Sequence, residues 1–397
     1  MDSSKMRKIS ILAVSLIVVS GAAIGANLPA IAQTFPEIPL PLVEMLTTIP
    51  ALFIIPAVLL STKIAKYIGY KKSVLLGLGI VLISGIIPAI VTNFAIIFIS
   101  RACFGFGIGM FNSLLISIIS YFYHGNERAA AIGFQSAFEG IGGMSLTFVV
   151  GQLLKINWQA SFWVYLIVVP IFILFALFVP EISPDELSPN RENKSDSEQV
   201  KLIEKILSTK VFVSYICLLI LVVCMYMSIT VKGTFLVTTL GYGNATDGSN
   251  ILSLIGVGAM TAGFLFGPIF SVTKQWTLPL SFLMMSLAML VIGLSDRVWI
   301  TGMGAMICGF AFRTFIPYIF NRINNDSGQR AASRMSLLLV GFNLGSAFSP
   351  YGIALIERIS NFSSIRGIFF LEAVLLLLLA VIIIGNIFWK RIRIKKL

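Results

Sequence analysis

Residues 94–121 read FAIIFISRACFGFGIGMFNSLLISIISY, an apolar run broken by one charge, Arg101, and threaded by Gly105, Gly107 and Gly109. A helix rises 1.5 Å per residue, so such a run is long enough to cross a hydrocarbon layer of about 30 Å. Backbone polar groups in lipid must be satisfied within the segment, which makes runs of this length helices. The strands of a membrane barrel would be shorter and would alternate in polarity.

Similar runs fill the chain on both sides. Spans are expected at 9–32, 40–60, 73–92, 94–121, 129–154 and 161–179, then at 211–235, 249–270, 277–294, 298–320, 333–356 and 365–389. Composition agrees: 57% of the 397 residues are hydrophobic and 12% charged, against about 45–50% and 25% in soluble proteins. With a mean hydropathy of +0.95, one water-soluble core is excluded. The first run follows Lys5, Arg7 and Lys8 in the manner of a signal peptide. It is too long for a signal h-region and is expected to be retained.

The net charge of +12 has two readings. A nucleic-acid binder would cluster its basic residues on soluble segments; here they sit in short loops between apolar runs, so no nucleic acid is expected as partner. Loops on the N-terminal side carry Lys63, Lys66, Lys71, Lys72, Arg128, Lys274 and Arg322, together with the linker and tail residues. The opposite loops hold only Lys155, Arg297, Arg358 and Arg366, with Lys232 at their border. The ratio is about 22 to 5, and by the positive-inside rule it puts both termini in the cytoplasm.

The hydrophilic stretch 181–210 divides the chain. It predicts an N-terminal bundle over 1–180, a cytoplasmic linker over 181–210 whose residues 198–207 form a short surface helix, and a C-terminal bundle over 211–397. The halves repeat one another. Cys103-Phe104-Gly105 followed by Glu127-Arg128-Ala129-Ala130 is answered by Cys308-Gly309-Phe310 followed by Gln329-Arg330-Ala331-Ala332. Glu139-Gly140-Ile141-Gly142 is likewise answered by Asn343-Leu344-Gly345. The expected fold is therefore an all-α membrane protein of twelve transmembrane helices in two pseudo-symmetric six-helix bundles.

The loop at 61–72, STKIAKYIGYKK, resembles the signature Gly-x-x-x-Asp-Arg-x-Gly-Arg-Lys/Arg-Lys/Arg of the major facilitator superfamily. Gly69, Lys71 and Lys72 fit; Thr62, Lys66 and Tyr70 stand where a Gly, the Asp and an Arg are usual. The fourth span, from Arg101 to Gly109, resembles that family's Arg-x-x-Gln-Gly-x-Gly, with Phe104 for the Gln. The resemblance covers essentially the whole chain and comes nearest to the twelve-span drug–proton antiporters. It implies a gating loop at Lys66, Gly69, Lys71 and Lys72, and a part for Arg101 in proton coupling. The antiporter's Gly-Pro-x-x-Gly-Gly has only Thr147-Phe-Val-Val-Gly-Gln152 to answer it, without the Pro.

An ionised side chain at mid-bilayer costs about 2.5–3.5 kcal/mol on insertion scales, so each one calls for a reason. Glu139 lies near mid-depth with Gln135 one turn away; a carboxyl group there can take up and release protons as a cavity opens to each side, or it can form a structural ion pair with Arg101 or another helix. Arg313 lies deep in the tenth span; its paired donors suit a carboxylate or sulfonate. With Lys232 it would make the second half of the cavity basic. Asn27, Asn112 and Asn343 are expected to line the cavity or to glue helices together, and Gly105, Gly107, Gly109, Gly142 and Gly143 to let helices pack closely. Pro29, Pro88, Pro317 and Pro350 are expected to mark kinks. Glu372, in a span expected to face lipid, has no evident partner in sequence.

Cys103, Cys217, Cys224 and Cys308 all fall in apolar runs without a Cys-x-x-Cys pair, so neither metal nor cofactor is expected. With no P-loop and no catalytic cluster, the chain is not expected to be an enzyme. The expected function is secondary active transport of a small solute across the cytoplasmic membrane by a monomer working with protons in a lipid bilayer. Drug or amphiphile efflux leads, proton-coupled uptake or exchange of a small organic anion is the alternative, and a non-transporting membrane sensor is the reading from another class.

Overall fold

The computed structural model describes residues 3–182, 209–326, 331–360 and 364–395. Arg191, Lys194, Lys201, Lys205, Gln329, Arg330 and Lys396, and the helix expected over 198–207, lie outside the described residues. Among those described, every regular element is helical. The first half holds α1 (Ser3–Ser15), a 3₁₀ segment Ser20–Asn27, α2 (Leu28–Thr34), α3 (Leu40–Ile68), α4 (Tyr70–Ile90), α5 (Phe94–Phe122) and α6 (Gly125–Leu153). It ends with a 3₁₀ segment Ala160–Ile167 running into α7 (Val168–Phe178). The second half holds α8 (Thr209–Thr239), α9 (Ala245–Thr273), α10 (Thr277–Leu294), α11 (Val298–Asp326), α12 (Ala331–Ala347), α13 (Ser349–Ser360) and α14 (Arg366–Lys395).

Among the described residues, eight stretches are long and apolar enough to cross a membrane, or ten if each of two bent pairs is one span. One of the eight, Ala245–Leu294, contains two helices, α9 and α10, joined by the single turn Lys274–Trp276. Large apolar side chains such as Ile83, Leu177, Leu287 and Ile382 stand on the outside, where water would penalise them and acyl chains do not. The buried apolar residues form two main clusters. One is built almost wholly from residues up to Ile182, the other almost wholly from Phe212 onward.

The halves also pack alike. In the first, α5 lies against α3 and α4; in the second, α11 lies against α9 and α10. Glycine sets the closeness. A Cβ at Gly105 would overlap the backbone of Pro50 in α3, and one at Gly309 would overlap that of Ile255 in α9. Gly109 faces Ala57 and Ile54 of α3, Gly107 faces α4, and Gly142 and Gly143 lie against Leu16 and Val19.

Helix breaks are placed differently from the prolines. α4 and α11 run on through Pro88 and Pro317. The first span bends by 43° between Ser15 and Ser20, well before Pro29, where bonds such as Leu16 N–H to the Ala13 carbonyl tighten the turn. Pro350 does sit at a break, the 54° bend between Ala347 and Ser349.

Arg101 shows what freed carbonyls are for. It is fully buried. Its Nε donates to the Leu46 carbonyl at 3.0 Å, an acceptor that Pro50, four residues on and lacking an N–H, leaves vacant. Its Nη2 donates to the Gly21 carbonyl at 2.7 Å, and Nη1 lies 3.3 Å from the Tyr165 hydroxyl, which itself donates to the Ser20 carbonyl at 3.0 Å. Phe104 lies beneath the guanidinium at 4.4 Å. One side chain thus ties α5 to α3, to the bend of the first span and to the sixth.

Two stability predictions follow from this packing. Arg101→Met should lower thermal stability in detergent by about 1–3 kcal/mol for each buried acceptor orphaned. Gly105→Val should cost about 1–3 kcal/mol by overpacking, whereas Gly79→Ala, where a Cβ meets nothing within 4 Å, should gain up to about 1 kcal/mol. Melting curves of the three variants test both statements.

Candidate functional site between the halves

The halves touch at one end of the bundle and part toward the other. At the end carrying the 35–39 loop, the Thr246 hydroxyl of α9 donates to the Gly151 carbonyl of α6 at 2.9 Å, and Ser249 donates to the Thr147 carbonyl. Thr48 of α3 donates to the Ala347 carbonyl at 3.1 Å. That carbonyl is exposed by the break between α12 and α13, so a helix interruption in one half supplies an acceptor to the other. Further along α6 and α9, Gly140 still faces Met260. Two turns on, along the same faces, a Cβ at Gly133 or Gly267 would meet nothing within 4 Å. The interface therefore opens toward the end bearing Gly69.

An ion cluster sits within the closed end. Lys232 of α8 places Nζ 2.8 Å from Glu44 Oε1 of α3 and 2.9 Å from Glu357 Oε1 of α13. Lys232 and Glu44 are 3% and 1% exposed, and Glu357 forms the rim at 40%. The Oε2 atom of Glu44 is buried without a hydrogen-bond partner. Sequence reading placed Lys232 in the substrate cavity and passed over both carboxylates. Glu44 lies one turn inside an expected span and reads as boundary, while Glu357, beside Arg358, reads as loop. The available signal was that spans two, seven and eleven each carry a charge near the same end.

Nearer the opening, Glu139 of α6 and Arg313 of α11 face each other across the halves. Arg313 Nη2 lies 3.9 Å from Glu139 Oε2, a loose pair with side chains 37% and 17% exposed. Gln135, one turn before Glu139 on the same face, donates from Nε2 to Oε1 at 3.4 Å. Beside Arg313 in sequence, Phe312 stacks on Tyr226 with centroids 3.7 Å apart and planes 5° from parallel. So the structure brings Glu139, Gln135 and Arg313 together and holds Arg101 apart among backbone carbonyls.

The other expected site residues scatter. Asn27 is fully buried and donates to Ser161 Oγ at 2.5 Å, joining the first span to the sixth. Asn343 donates to the Leu339 carbonyl of its own helix at 2.8 Å, and Asn112 is half-buried on α5. At the junction of α3 and α4, where a gating loop is expected, Gly69 has φ +93°. A Cβ there would collide with Glu181, whose Oε1 accepts the Lys71 N–H at 3.2 Å and so caps the start of α4. Lys66 and Lys72 are exposed. Glu372 faces inward, where the Ser228 hydroxyl of α8 donates to its Oε1. Among the described residues no group of three or more His, Cys, Asp or Glu side chains could hold a metal ion.

No curated protein sequence matches the chain. Solved structures share its fold. The human organic anion transporter MFSD10 (TETRAN) is 15% identical with a TM-score of 0.63, covering 96% of this chain and 99% of its own. A peptide transporter POT in complex with sulfate is 13% identical at 0.70, covering 97% and 98%. The xylose transporter XylE from E. coli, in an inward-open conformation, is 14% identical at 0.70, covering 96% and 95%. A family model described as Major Facilitator Superfamily matches residues 10–350, most of the chain's length, and the chain belongs to that family of multi-pass membrane proteins.

Proposed function

We propose that this protein is a secondary transporter that carries a small organic anion together with a proton across the cytoplasmic membrane. In this reading it is a monomer with twelve spans, both termini in the cytoplasm, and bundles over 1–180 and 211–397. The end bearing Gly69 then faces the cytoplasm, and the closed end faces outward. The observation that carries the reading is the loose Glu139–Arg313 pair, the partly exposed ions facing each other across the halves.

The pair dictates the sign of coupling. In the empty carrier each ion is the other's counter-charge. A proton on Glu139 removes one of them and leaves the guanidinium without a partner, which in a poorly solvated setting is costly. An anion restores the balance. Proton and anion therefore each strengthen the binding of the other, and by linkage the enhancement is reciprocal. Both then leave by the same exit, which is symport. Drug–proton antiport needs the opposite relation, in which a cation and a proton compete for one carboxylate. Here a cation would first have to displace Arg313. Gln135 orients Glu139, while Arg101 positions helices and takes no part in coupling.

Reconstituted vesicles with an internal pH dye provide the test. Adding carboxylates and sulfonates outside should acidify the lumen, and an inward proton gradient should drive anion uptake. Glu139→Gln should keep anion exchange at equal pH but lose its acceleration by the gradient. Arg313→Ala should weaken anion-driven flux about ten-fold or more, equivalent to about 1.4 kcal/mol. If organic cations, and no anions, move protons, and in the opposite direction, the protein is an antiporter and this reading fails.

A further inference from the structure

We infer that the groove between α9 and α10 binds an anionic phospholipid of the leaflet at the Gly69 end, with one acyl chain in the groove and the phosphate at Lys274. The site is separate from Glu139 and Arg313 and does not depend on what the cargo is.

The groove follows from how the second half packs. α9 and α10 are consecutive and joined by the single turn Lys274–Trp276, yet α9 leans on α11, α10 leans on α11 and α14, and the two hardly touch each other. Between them lies a cavity of about 390 Å³, within the size range of small-molecule sites. Ile269 and Val272 of α9 line one side, Leu280 and Met284 of α10 the other, and Phe310 of α11 the floor. Val272 and Leu280 stand exposed at the rims, and α10 packs within its own half, so the groove opens to hydrocarbon and not to the gap between the halves. Its hydroxyls are spent. Thr273 and Thr277 bond each other at 2.6 Å, Ser281 and Thr314 bond at 2.8 Å, and each also meets a backbone carbonyl about one turn back. A guest finds no free donor there, which suits a hydrocarbon chain. From Thr277 to Met284 the groove reaches about 10 Å along α10 from the turn.

The mouth supplies the charge. Lys274 is exposed, and among the described residues it joins no ion pair. Trp276 packs edge-on against Phe388 of α14 with centroids 5.8 Å apart, and Trp389 beside it is exposed. Aromatic rings of this kind collect at headgroup depth. α14 runs on through Lys390 and Arg391. The repeat sharpens the contrast. At the matching junction of the first half, between α3 and α4, Glu181 follows α7 and its carboxylate accepts the Lys71 N–H. In the second half the same junction has cations where the first has that carboxylate. The first half brings its own anion; the second leaves the anion to its surroundings, which at this depth are lipid headgroups. One lysine at a membrane surface changes affinity for an anionic lipid about five-fold.

The experiment labels the groove from the lipid side. The full-length protein is reconstituted in phosphatidylcholine bilayers containing a trace of phosphatidylglycerol or of phosphatidylcholine, each with the same photoreactive acyl chain, and labelled peptides are located by mass spectrometry. Label should fall on residues 268–273 and 280–284, about five-fold or more with the anionic probe than with the zwitterionic one. The groove between α4 and α5, lined by Ile83, Ile96 and Ile99, is the internal control: residues 91–93, which join those helices, carry no charge, and both probes should label it equally. Lys274→Gln should cut the headgroup preference about five-fold. Leu280→Trp, which fills the groove and leaves the charge in place, should remove the label from 268–273 with either probe. Equal labelling by the two probes in the parent, the same preference at the α4–α5 groove, a preference untouched by Lys274→Gln, or label undiminished by Leu280→Trp would each overturn the inference and leave the groove covered by bulk lipid alone.

Discussion

Everything in this structure answers to one constraint: a charge placed inside a bundle surrounded by hydrocarbon must find a partner, because water is not there to serve. The solutions differ from site to site. Arg101 is satisfied by backbone carbonyls and a tyrosine and never meets a carboxylate. Lys232 is shared between two carboxylates from two other spans. Glu139 and Arg313 meet only loosely. The tightness of each solution separates what is built to stay from what can be exchanged. A guanidinium tied to Leu46 and Gly21 is part of the frame, and a guanidinium 3.9 Å from its counter-ion is available to a competitor.

Broken helices make these solutions possible. An unbroken helix uses one lone pair of each interior carbonyl for its own ladder, whereas a break leaves a carbonyl wholly free for a neighbour. Pro50 withholds an N–H and hands the Leu46 carbonyl to Arg101. After the bend of the first span, the carbonyls of Ser20 and Gly21 in the 3₁₀ segment accept from Tyr165 and Arg101. The break before Pro350 leaves the Ala347 carbonyl to Thr48 of the opposite half. Each interruption is filled by a side chain from elsewhere in the fold, so the bends are held by tertiary contacts.

Helices and their family were legible in the sequence because both rest on local signals. An apolar run longer than a bilayer is a helix whatever surrounds it, and Arg101 with its glycines lies within one such run. The embedded charges Glu139, Arg313 and Lys232 could also be picked out one by one. Their partners could not. Pairing depends on which faces of distant spans meet, and nothing near Glu44 in the chain announces Lys232 or Glu357. The bend of the first span was hidden for a related reason. Proline is the visible breaker, yet the chain bends well before Pro29, next to the 3₁₀ segment whose carbonyls accept from Arg101 and Tyr165. Glu372 was obscure in sequence because its partner, Ser228, carries no charge and looks like any other small residue in an apolar run.

The two charged clusters differ in a way that bears on how far a negatively charged solute can travel. Lys232 is claimed twice over, by Glu44 and by Glu357, so at the closed end the cation is already committed to carboxylates. Arg313 has one partner at the edge of contact distance and keeps more than a third of its surface exposed. On the proposed reading, an anion entering from the Gly69 end meets an attractive centre at Arg313 and, beyond it, a lysine already held by carboxylates. In that reading it has one place to stop, and leak through a half-open gate is opposed because Lys232 must first be released before it can take an anion. Charge selection and resistance to leak would then come from the order in which the two clusters are met along the path.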